Sequence, residues 1–270
     1  MNLNSLSRRS MLRMGASSLL AAGLWPGRLW AADKDTGSFR FVVINDLHYL
    51  CPECSGFFTK LVEQVNATKG DLDFCILAGD LSDNGTPEQL GPLREIVDKL
   101  RCKVVTVPGN HDHLKDNRKP YEQAFPKATN QHLEHKGWQF VGLDTCDGQK
   151  YDKVAASQAT LDYVDGLLPK LDRSRPTVVF THFPLNAKTK YCLTNAGALL
   201  DRFKGHHLAA TYGGHFHGFT EGKAGDTVLT TNRCCSLKRD NHDGTHEKGY
   251  FVVEARDGQL KREFVPFGVG

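Results

Sequence analysis

Short apolar runs recur along the chain and alternate with segments of helical periodicity. Runs rich in Val, Ile, Phe or Leu lie at 39–45, 73–78, 103–107, 138–143, 176–181 and 208–213. Their length and composition predict buried strands. Candidate helices lie between them, at about 57–68, 87–100, 118–125, 157–171 and 195–203. Alternation of strand and helix predicts an α/β fold built in layers.

The pattern changes after residue 213, where helical periodicity stops. Runs at 226–231, 249–255 and 261–266 predict further strands, expected to be antiparallel. The polar stretch 236–248 between two of them predicts one long loop, functional or mobile. The sequence shows neither an internal repeat nor an interdomain linker, so residues 33–270 are expected to form a single domain.

The first 32 residues read as an export signal. Arg8, Arg9 and Arg13 precede an apolar stretch at 14–25, and small residues follow at Ala31 and Ala32. A membrane span needs roughly 20 apolar residues, so this stretch is too short for stable membrane insertion. The segment around Arg8 and Arg9 resembles a twin-arginine signal; a Sec signal with a chance arginine pair is the alternative. The sequence therefore predicts contact with the twin-arginine translocase and a periplasmic or secreted protein.

Removing that leader changes the charge balance. The full chain has 34 basic and 31 acidic residues, and the leader carries four arginines and no acid, which leaves 30 against 31. A nearly neutral chain lacks the general electrostatic footprint of a nucleic-acid-binding protein. Nucleic acid is therefore not expected to be the main partner.

Polar residues suited to metal binding follow five of the predicted strands. They stand in Asp46-Leu47-His48, Gly79-Asp80, Gly109-Asn110-His111-Asp112, Thr181-His182 and Gly214-His215-Phe216-His217. In an extended chain, residues i and i+2 point to the same face, so Asp46 with His48 and His215 with His217 are expected to act as pairs. Ligands in α/β sheets bind at the carboxyl ends of strands. One such motif arises easily by chance, but five in succession predict a shared site.

The ordered set DLH, GDLSDNG, GNHD, THFP and GHFH, over residues 46–217, resembles the calcineurin-like metallophosphoesterase family, in particular its compact cyclic-nucleotide phosphodiesterase and purple-acid-phosphatase-like branches. The resemblance implies a four-layer αββα sandwich of two mixed sheets flanked by helices, occupying residues 33–270. It implies Asp46, His48, Asp80 and His217 as ligands of one metal. It implies Asp80, Asn110, His182 and His215 as ligands of a second, with Asp80 bridging. His111 resembles the imidazole that stabilises the transition state or protonates the leaving group.

The ligand chemistry agrees with that implication. Carboxylate, imidazole and amide oxygen suit Fe, Mn or Zn rather than Cu(I). Two such ions share a hydroxide that attacks phosphorus in line, so the expected reaction is hydrolysis of a small phosphodiester or phosphomonoester. The alternative is a non-catalytic protein on the same fold that binds metal or a phosphate ligand. A purely orienting hydrogen bond is the alternative role for His111.

Three further groups of residues stay open from sequence alone. Asp83 and Asn84 are expected to form a turn, with hydrogen bonds to groups that support the ligands or to substrate as the alternative, and are kept out of the metal set. A disulfide is favoured for Cys51-Pro52-Glu53-Cys54, within the motif or to Cys192 or Cys234, with redox chemistry, a third metal or free thiols as alternatives. Aromatic residues near the motifs would either stack on a base or sugar or pack in the core: Tyr49, Tyr191, Phe216 and Phe219.

Overall fold

The computed structural model describes residues 37–268, and the predicted export signal lies outside that range. Its strands are β1 (Phe39–Ile44), β2 (Phe74–Ala78), β3 (Lys103–Val107), β4 (Gln131–His135), β5 (Trp138–Leu143), β6 (Thr177–Thr181), β7 (Leu208–Gly213), β8 (Thr220–Ala224), β9 (Thr227–Thr231), β10 (Gly249–Arg256) and β11 (Gln259–Pro266). Its α-helices are α1 (Glu53–Asn66), α2 (Pro87–Val97), α3 (Lys119–Ala124), α4 (Gln158–Leu167) and α5 (Ala196–Arg202). Short 3₁₀ helices occupy Asn110–Asp112 and Leu168–Lys170.

These strands form two mixed sheets. The first has the order β11-β10-β1-β2-β3, in which β1, β2 and β3 are parallel while β10 is antiparallel to both of its neighbours. The second has the order β4-β5-β6-β7-β9-β8. The antiparallel expectation is correct for β10 and β11. It holds only in part for β9, which pairs with β8 antiparallel but with β7 in parallel. A connection through the hairpin strand β8 brings β9 back in the same direction as β7.

Alternation of side chains along the strands produces three hydrophobic layers and hence four structural layers. On β1, Phe41 and Val43 face the second sheet, whereas Val42 and Ile44 pack against α1 and α2. The outer face of the second sheet packs against α4 and α5. This arrangement is the predicted αββα sandwich.

A cluster of aromatic rings holds the two sheets together. Phe74 of the first sheet lies 4.9 Å, between ring centroids, from Phe140 of the second, and Phe41 lies 5.4 Å from the same ring. Such edge-to-face pairs contribute about 0.5–1.5 kcal/mol each beyond burial of their area. The cluster fixes the relative position of two sheets whose strand ends both carry predicted ligands.

Two strands were missed in the sequence because they lie at the edges of the second sheet. β4 is partly exposed along its length and β8 is largely exposed, so neither contains a continuous apolar run. Edge strands with charged and polar residues are the usual way that sheets avoid pairing with other chains. Their hydrogen bonds, rather than their hydrophobicity, define them.

The start of helix α2 is held by side-chain contacts between loops that are distant in sequence. α2 begins at Pro87 as expected, but the Thr86 hydroxyl makes no capping bond. The Gln89 side chain instead accepts the Asn84 N–H and donates to the Leu50 carbonyl, which ties the loop after β1 to the loop after β2. No helix in the described range is long and apolar enough to cross a membrane.

The cysteine motif after β1 opens helix α1, which begins at Glu53 and not near residue 57. The favoured disulfide is absent, since all eight cysteines are free. Cys54 lies in the first turn of α1 and is fully buried in the core, where a thiol behaves as a small hydrophobic group. The Cys234 thiol, one of the predicted partners, instead contacts the Lys248 amine at 3.1 Å. Cys75 lies in the run at 73–78 that was predicted to be a buried strand, and it is fully buried.

Candidate metal centre

All seven predicted metal ligands lie at one end of the sandwich, where the carboxyl ends of strands from both sheets meet. The first sheet contributes the residues that follow β1, β2 and β3, and the second contributes those that follow β6 and β7. All seven side chains are buried: Asp46, His48, Asp80, Asn110, His182, His215 and His217. The inter-sheet core therefore positions a site that neither sheet could form alone.

Four of these residues form the first ligand group. One donor atom from each of Asp46, His48, Asp80 and His217 lies within 4.8 Å of all the others. The Nε2 atoms of His48 and His217 are 3.0 Å apart, and the His48 Nε2 is 3.4 Å from the Asp80 carboxylate. These spacings bring four donors around one point.

The second group shares Asp80 with the first. Donor atoms of Asp80, His182 and His215 again lie within 4.8 Å of one another. The His182 Nε2 is 3.4 Å from the Asp80 carboxylate and 3.1 Å from the Asn110 side-chain oxygen. The structure thus brings together both of the ligand sets that the family resemblance implies, with Asp80 common to them.

The backbone at these residues is not the extended chain assumed from the sequence. Asp46, His48, Asp80, His215 and His217 all have positive φ, between 47° and 64°. The members of each pair converge because each bends back into the site, not because alternate residues of an extended strand share a face. Left-handed backbone costs roughly 1–2 kcal/mol for a non-glycine residue and clusters at functional sites. The fold accepts this cost at five of the seven positions.

Two glycines make the close approach of the loops possible. A Cβ atom at Gly109 would lie 2.1 Å from the backbone nitrogen of Asp80, and one at Gly79 would lie 2.5 Å from the His182 ring. Gly79 also has a φ of +82°, which favours glycine. No other residue fits at either position without displacing a predicted ligand.

Each imidazole among the predicted ligands is oriented by a hydrogen bond from one of its ring nitrogens. His182 Nδ1 contacts the Ala78 carbonyl at 3.1 Å, His217 Nδ1 the Asp240 carbonyl at 3.1 Å, and His215 Nε2 the Tyr151 carbonyl at 2.7 Å. A carbonyl only accepts, so these nitrogens carry protons, and in the neutral form of each ring the opposite nitrogen is left as an acceptor. Metal-binding histidines are held in this way.

Asp83 orients the remaining imidazole and is more than the turn residue expected from sequence. Its carboxylate accepts from His48 Nδ1 at 3.2 Å and from the Arg239 guanidinium at 2.7 and 2.8 Å. The chain Arg239–Asp83–His48 connects a residue late in the sequence to the loop after β1. Sequence spacing gives no signal of this contact.

Asp112 joins the loops after β2 and β3 from beneath the site. Its fully buried carboxylate accepts the backbone N–H groups of Leu81, Ser82 and Gly109 and the Ser82 hydroxyl, at 2.8–3.1 Å. Burial and the nearby charge of Asp80 raise the pKa of Asp112 to about 6. Asp112 therefore holds in place the turn that carries Asn110 and His111.

The electrostatics of the site favour a cation. Burial raises the pKa of Asp46. Burial acts on Asp80 in the same direction, but the charge and hydrogen bond of His182 oppose it most strongly, and the pKa of Asp80 lies well below its ordinary value. Burial acts against protonation of His182, but Asp80 and Asp46 raise the pKa of that imidazole to about 9. Within the described residues, the ion-pair partners of Asp46 and Asp80 are histidines only, with no lysine or arginine.

Three other predicted ligands, His48, His215 and His217, have lowered pKa values and are neutral at physiological pH. Burial, with the charge of His182, lowers the pKa of His215 to about 3, and burial lowers the pKa of His217 to about 4 and also lowers that of His48. Because Asp83 and Asp240 accept the Nδ1 protons of His48 and His217, two unprotonated Nε2 atoms face each other at 3.0 Å. A shared cation relieves that repulsion, so these residues fit a metal ion.

His111 lies at the edge of both groups. Its backbone N–H donates to Asp80 at 2.8 Å, its Nδ1 contacts the Asp83 carbonyl at 2.7 Å, and its ring centroid is 4.7 Å from that of His48. It lines a cavity of about 410 Å³ together with Asp80, His48, His215 and His217. The Nε2 atom is the ring nitrogen left for a substrate in that cavity.

A loop formed by residues 234–248 completes the cavity and holds His217. The Asp240 carbonyl accepts from the His217 ring, and the His242 N–H donates to the His217 carbonyl at 2.8 Å. Arg239 and His242 line the cavity, as do Tyr151 and Tyr191. Only Tyr191 of these four was named as a candidate from sequence, because nothing in the local pattern distinguishes the others from surface residues.

Comparison with known protein families gives one match that covers most of the chain. The family model described as calcineurin-like phosphoesterase matches residues 39–219. A 3′,5′-cyclic-nucleotide phosphodiesterase of Nostoc sp. is 26% identical over 190 residues, which are 64% of this chain and 70% of the relative. A protein of Arcobacter nitrofigilis named "probable glycerophosphodiester phosphodiesterase" is 29% identical over 125 residues, 44% of this chain and 45% of the relative.

Among solved structures, the fold is similar to that of a purple acid phosphatase from yellow lupin seeds. The TM-score is 0.65 at 14% sequence identity, and the match covers 85% of this chain and 52% of the phosphatase. At this identity the similarity concerns the fold alone. The chain thus spans only about half the length of the phosphatase and of the Arcobacter relative.

Proposed function

The chain belongs to the calcineurin-like phosphoesterase family, and from this premise we propose that it is a binuclear metal-dependent hydrolase of small phosphoesters. The observation that carries the proposal is the pair of ligand groups that share Asp80. Asp46, His48, Asp80 and His217 would hold one ion, and Asp80, Asn110, His182 and His215 the other. Fe, Mn or Zn suits these carboxylate, imidazole and amide donors.

Two bound ions would supply a water-derived nucleophile at neutral pH and neutralise charge on the phosphoryl oxygens. The protein's own residues would orient the ester and protonate the leaving group. His111 is the candidate for the second task, because its Nδ1 is fixed by the Asp83 carbonyl and its Nε2 is left for the cavity. A positioned general acid typically contributes about 10²–10⁴-fold to the rate.

A phosphodiester is the favoured substrate. Both of the relatives described above are named as phosphodiesterases, one for cyclic nucleotides and one for glycerophosphodiesters. The cavity of about 410 Å³ is in the range of small-ligand sites, roughly 300–1,000 Å³. Arg239 lies in its wall with a partly exposed side chain, available to a phosphoryl oxygen while it also binds Asp83.

The experiment that tests this proposal measures hydrolysis of bis-p-nitrophenyl phosphate and p-nitrophenyl phosphate by metal-loaded protein. Asp80→Ala should lose both metals and all turnover, because Asp80 belongs to both groups. His111→Ala should retain two metals and lose about 10²–10⁴-fold in kcat. Metal content is determined on each protein by elemental analysis.

The outcomes separate the candidate functions. Faster turnover of the diester supports a phosphodiesterase, and faster turnover of the monoester makes the protein a phosphatase. Two bound metals without turnover of either ester, or of the 3′,5′-cyclic nucleotides in the name of the Nostoc relative, would overturn the enzyme proposal in favour of a non-catalytic binding protein. Full activity in His111→Ala would reduce His111 to an orienting role.

We also propose export through the twin-arginine translocase, followed by a periplasmic or secreted location. The support is the sequence of residues 1–32, with Arg8 and Arg9 ahead of a short apolar stretch. Replacing both arginines with lysine should block export in a bacterial host. Cell fractionation measures export, and unchanged export of the double variant would refute this route.

A further inference from the structure

We propose that Asn45 is a positioning residue for the metal centre: its amide keeps one oxygen of Asp46 away from the ions, and the centre thereby favours small metal ions over Ca²⁺. The inference rests on the proposed binuclear function and concerns the choice of metal, not the ester. Asn45 directly follows β1, precedes the predicted ligand Asp46 and is fully buried. None of the five sequence motifs includes it.

The two oxygens of the Asp46 carboxylate have different surroundings. Oδ2 accepts from the Asn45 amide at 2.5 Å and from the His215 backbone N–H at 3.0 Å. Oδ1 shares that backbone N–H at 2.9 Å. It also faces two imidazoles, because it lies 3.6 Å from His217 Nε2 and 3.8 Å from His182 Nδ1. Asp46 therefore presents one oxygen, Oδ1, to the other predicted ligands.

Close packing restricts rotation of this carboxylate. A Cβ atom at Gly214 would lie 3.0 Å from Asp46 Oδ2 and 3.1 Å from the Asn45 Cβ. The Asn45 amide is held in turn, since its Nδ2 also donates to the Asn232 carbonyl at 3.3 Å. The Asn45 carbonyl accepts the Cys235 N–H at 3.1 Å. The segment after β9 thus fixes Asn45, and Asn45 fixes Asp46.

The orientation of the Asn45 amide leaves its own oxygen unsatisfied. Within the described residues, the buried Oδ1 atom of Asn45 accepts no hydrogen bond. A buried acceptor without a partner costs about 1–3 kcal/mol, and such a group in a folded protein calls for an explanation. Turning the amide over would place this oxygen against the Asp46 carboxylate. The bond donated to Asp46 is therefore what the observed orientation preserves.

A carboxylate that offers one oxygen discriminates between ions by size. Ca²⁺ gathers about 6–8 oxygen ligands and takes a carboxylate through one or both of its oxygens. Zn²⁺ is usually complete with about four ligands. The hydrogen bonds to Oδ2 therefore remove a ligand that Ca²⁺ can use and that a smaller ion does not need. Selectivity between ions follows from ligand number and flexibility, so Asn45 favours Fe, Mn or Zn.

The test measures how readily Ca²⁺ displaces Mn²⁺ from the protein, with free Mn²⁺ followed by its electron paramagnetic resonance signal. Asn45→Leu keeps the approximate size of the side chain but has no donor. Loss of a partner of a metal ligand typically costs about 10–100-fold in metal affinity, and the freed oxygen adds a ligand for Ca²⁺. The ratio of Mn²⁺ to Ca²⁺ affinity should therefore fall about tenfold or more in Asn45→Leu. It should fall in Asn45→Ala as well.

Asn130→Leu is the matched control. The Asn130 amide also joins two segments, because it accepts the Asp144 N–H and donates to the Thr160 hydroxyl, but it lies outside both ligand groups. A general loosening of the fold would weaken the binding of both ions equally. The ratio of the two affinities should therefore be that of the wild type in Asn130→Leu, whatever the change in Tm.

Metal binding and ester turnover give separate answers. A ratio that falls in the Asn45 variants supports the role of Asn45 even if no ester is hydrolysed. An unchanged ratio in both Asn45 variants, or an equal fall in Asn130→Leu, overturns that role while the wild type still binds two metals. Wild-type protein that binds no metal overturns the proposed function together with this inference.

Discussion

Replacing Asp83 with asparagine tests whether the Arg239–Asp83–His48 chain tunes the metal centre. Asparagine keeps the shape of the side chain and one acceptor oxygen but removes the negative charge that polarises the His48 ring. Partners of this kind typically contribute about 10–100-fold to metal affinity, which corresponds to about 1.4–2.8 kcal/mol. The contacts at 2.7–3.2 Å and the burial of Asp83 place this pair within that range.

The same loss should appear in thermal stability. Metal that binds only the folded state stabilises it by mass action, so weaker binding at fixed metal concentration lowers the stabilisation by the same 1.4–2.8 kcal/mol at most. For a domain of this size, about 1 kcal/mol shifts Tm by roughly 2–4 °C. The metal-dependent rise in Tm should therefore be about 3–11 °C smaller in Asp83→Asn than in the wild type.

A matched control lies at the other end of the sandwich. Asp73 also binds a histidine, His135, at 2.7 Å and a basic side chain, Lys136, at 2.8 Å. Asp73→Asn should alter stability with and without metal equally and leave metal affinity, measured by competition with a chromophoric chelator, unchanged. Wild-type affinity in Asp83→Asn, or an equal loss in Asp73→Asn, would refute the reasoning.

Three further predictions concern the pH dependence of metal binding, the space at Gly109 and the buried hydrogen bonds of Asp112. The pKa of His182 is raised to about 9, so this imidazole must lose a proton when metal binds. Metal affinity should therefore rise about tenfold per pH unit from pH 6 to 8, and calorimetry should show the release of about one proton. Metal affinity that does not depend on pH would contradict this. Gly109→Ala should abolish metal binding because its Cβ would lie 2.1 Å from the Asp80 backbone nitrogen, whereas the control Gly91→Ala, with open space around it, should bind metal normally. Asp112→Asn should lower the free energy of unfolding in urea by about 2–6 kcal/mol. The N–H groups of Leu81 and Gly109 both donate to one carboxylate oxygen of Asp112, and each would lose its acceptor at a cost of about 1–3 kcal/mol. A change below about 0.5 kcal/mol would show that the loops do not depend on Asp112.

The sequence allows prediction of the features that repeat a local pattern. Apolar runs indicate the buried strands, and the family's motifs follow five of these strands. The layered fold and the family could therefore be predicted, and both are confirmed. The edge strands β4 and β8 were not, because exposure removes the apolar signal. The conformation of Asp46 was also missed, because a positive φ in a non-glycine residue is imposed by its surroundings.

The residues that contact the predicted ligands could not be predicted from the local sequence. Arg239 reaches Asp83 across 156 positions of sequence, and His242 reaches His217 through a loop whose composition is ordinary for a surface. Asp83 looked like a turn residue because aspartate near glycine usually is one. These roles arise from tertiary contacts, and only coordinates of the folded chain contain them.

The spread of the ligands along the chain has a consequence for biosynthesis. The first lies at residue 46 and the last at residue 217, and the imidazole of the last is held by the carbonyl of Asp240. Domains fold from the amino terminus as the ribosome delivers them, but no nascent chain that ends before residue 240 can present the complete set with His217 oriented. Loading of the proposed metal centre would therefore be one of the last events in maturation, and the compartment in which the finished chain folds would decide which metals it meets.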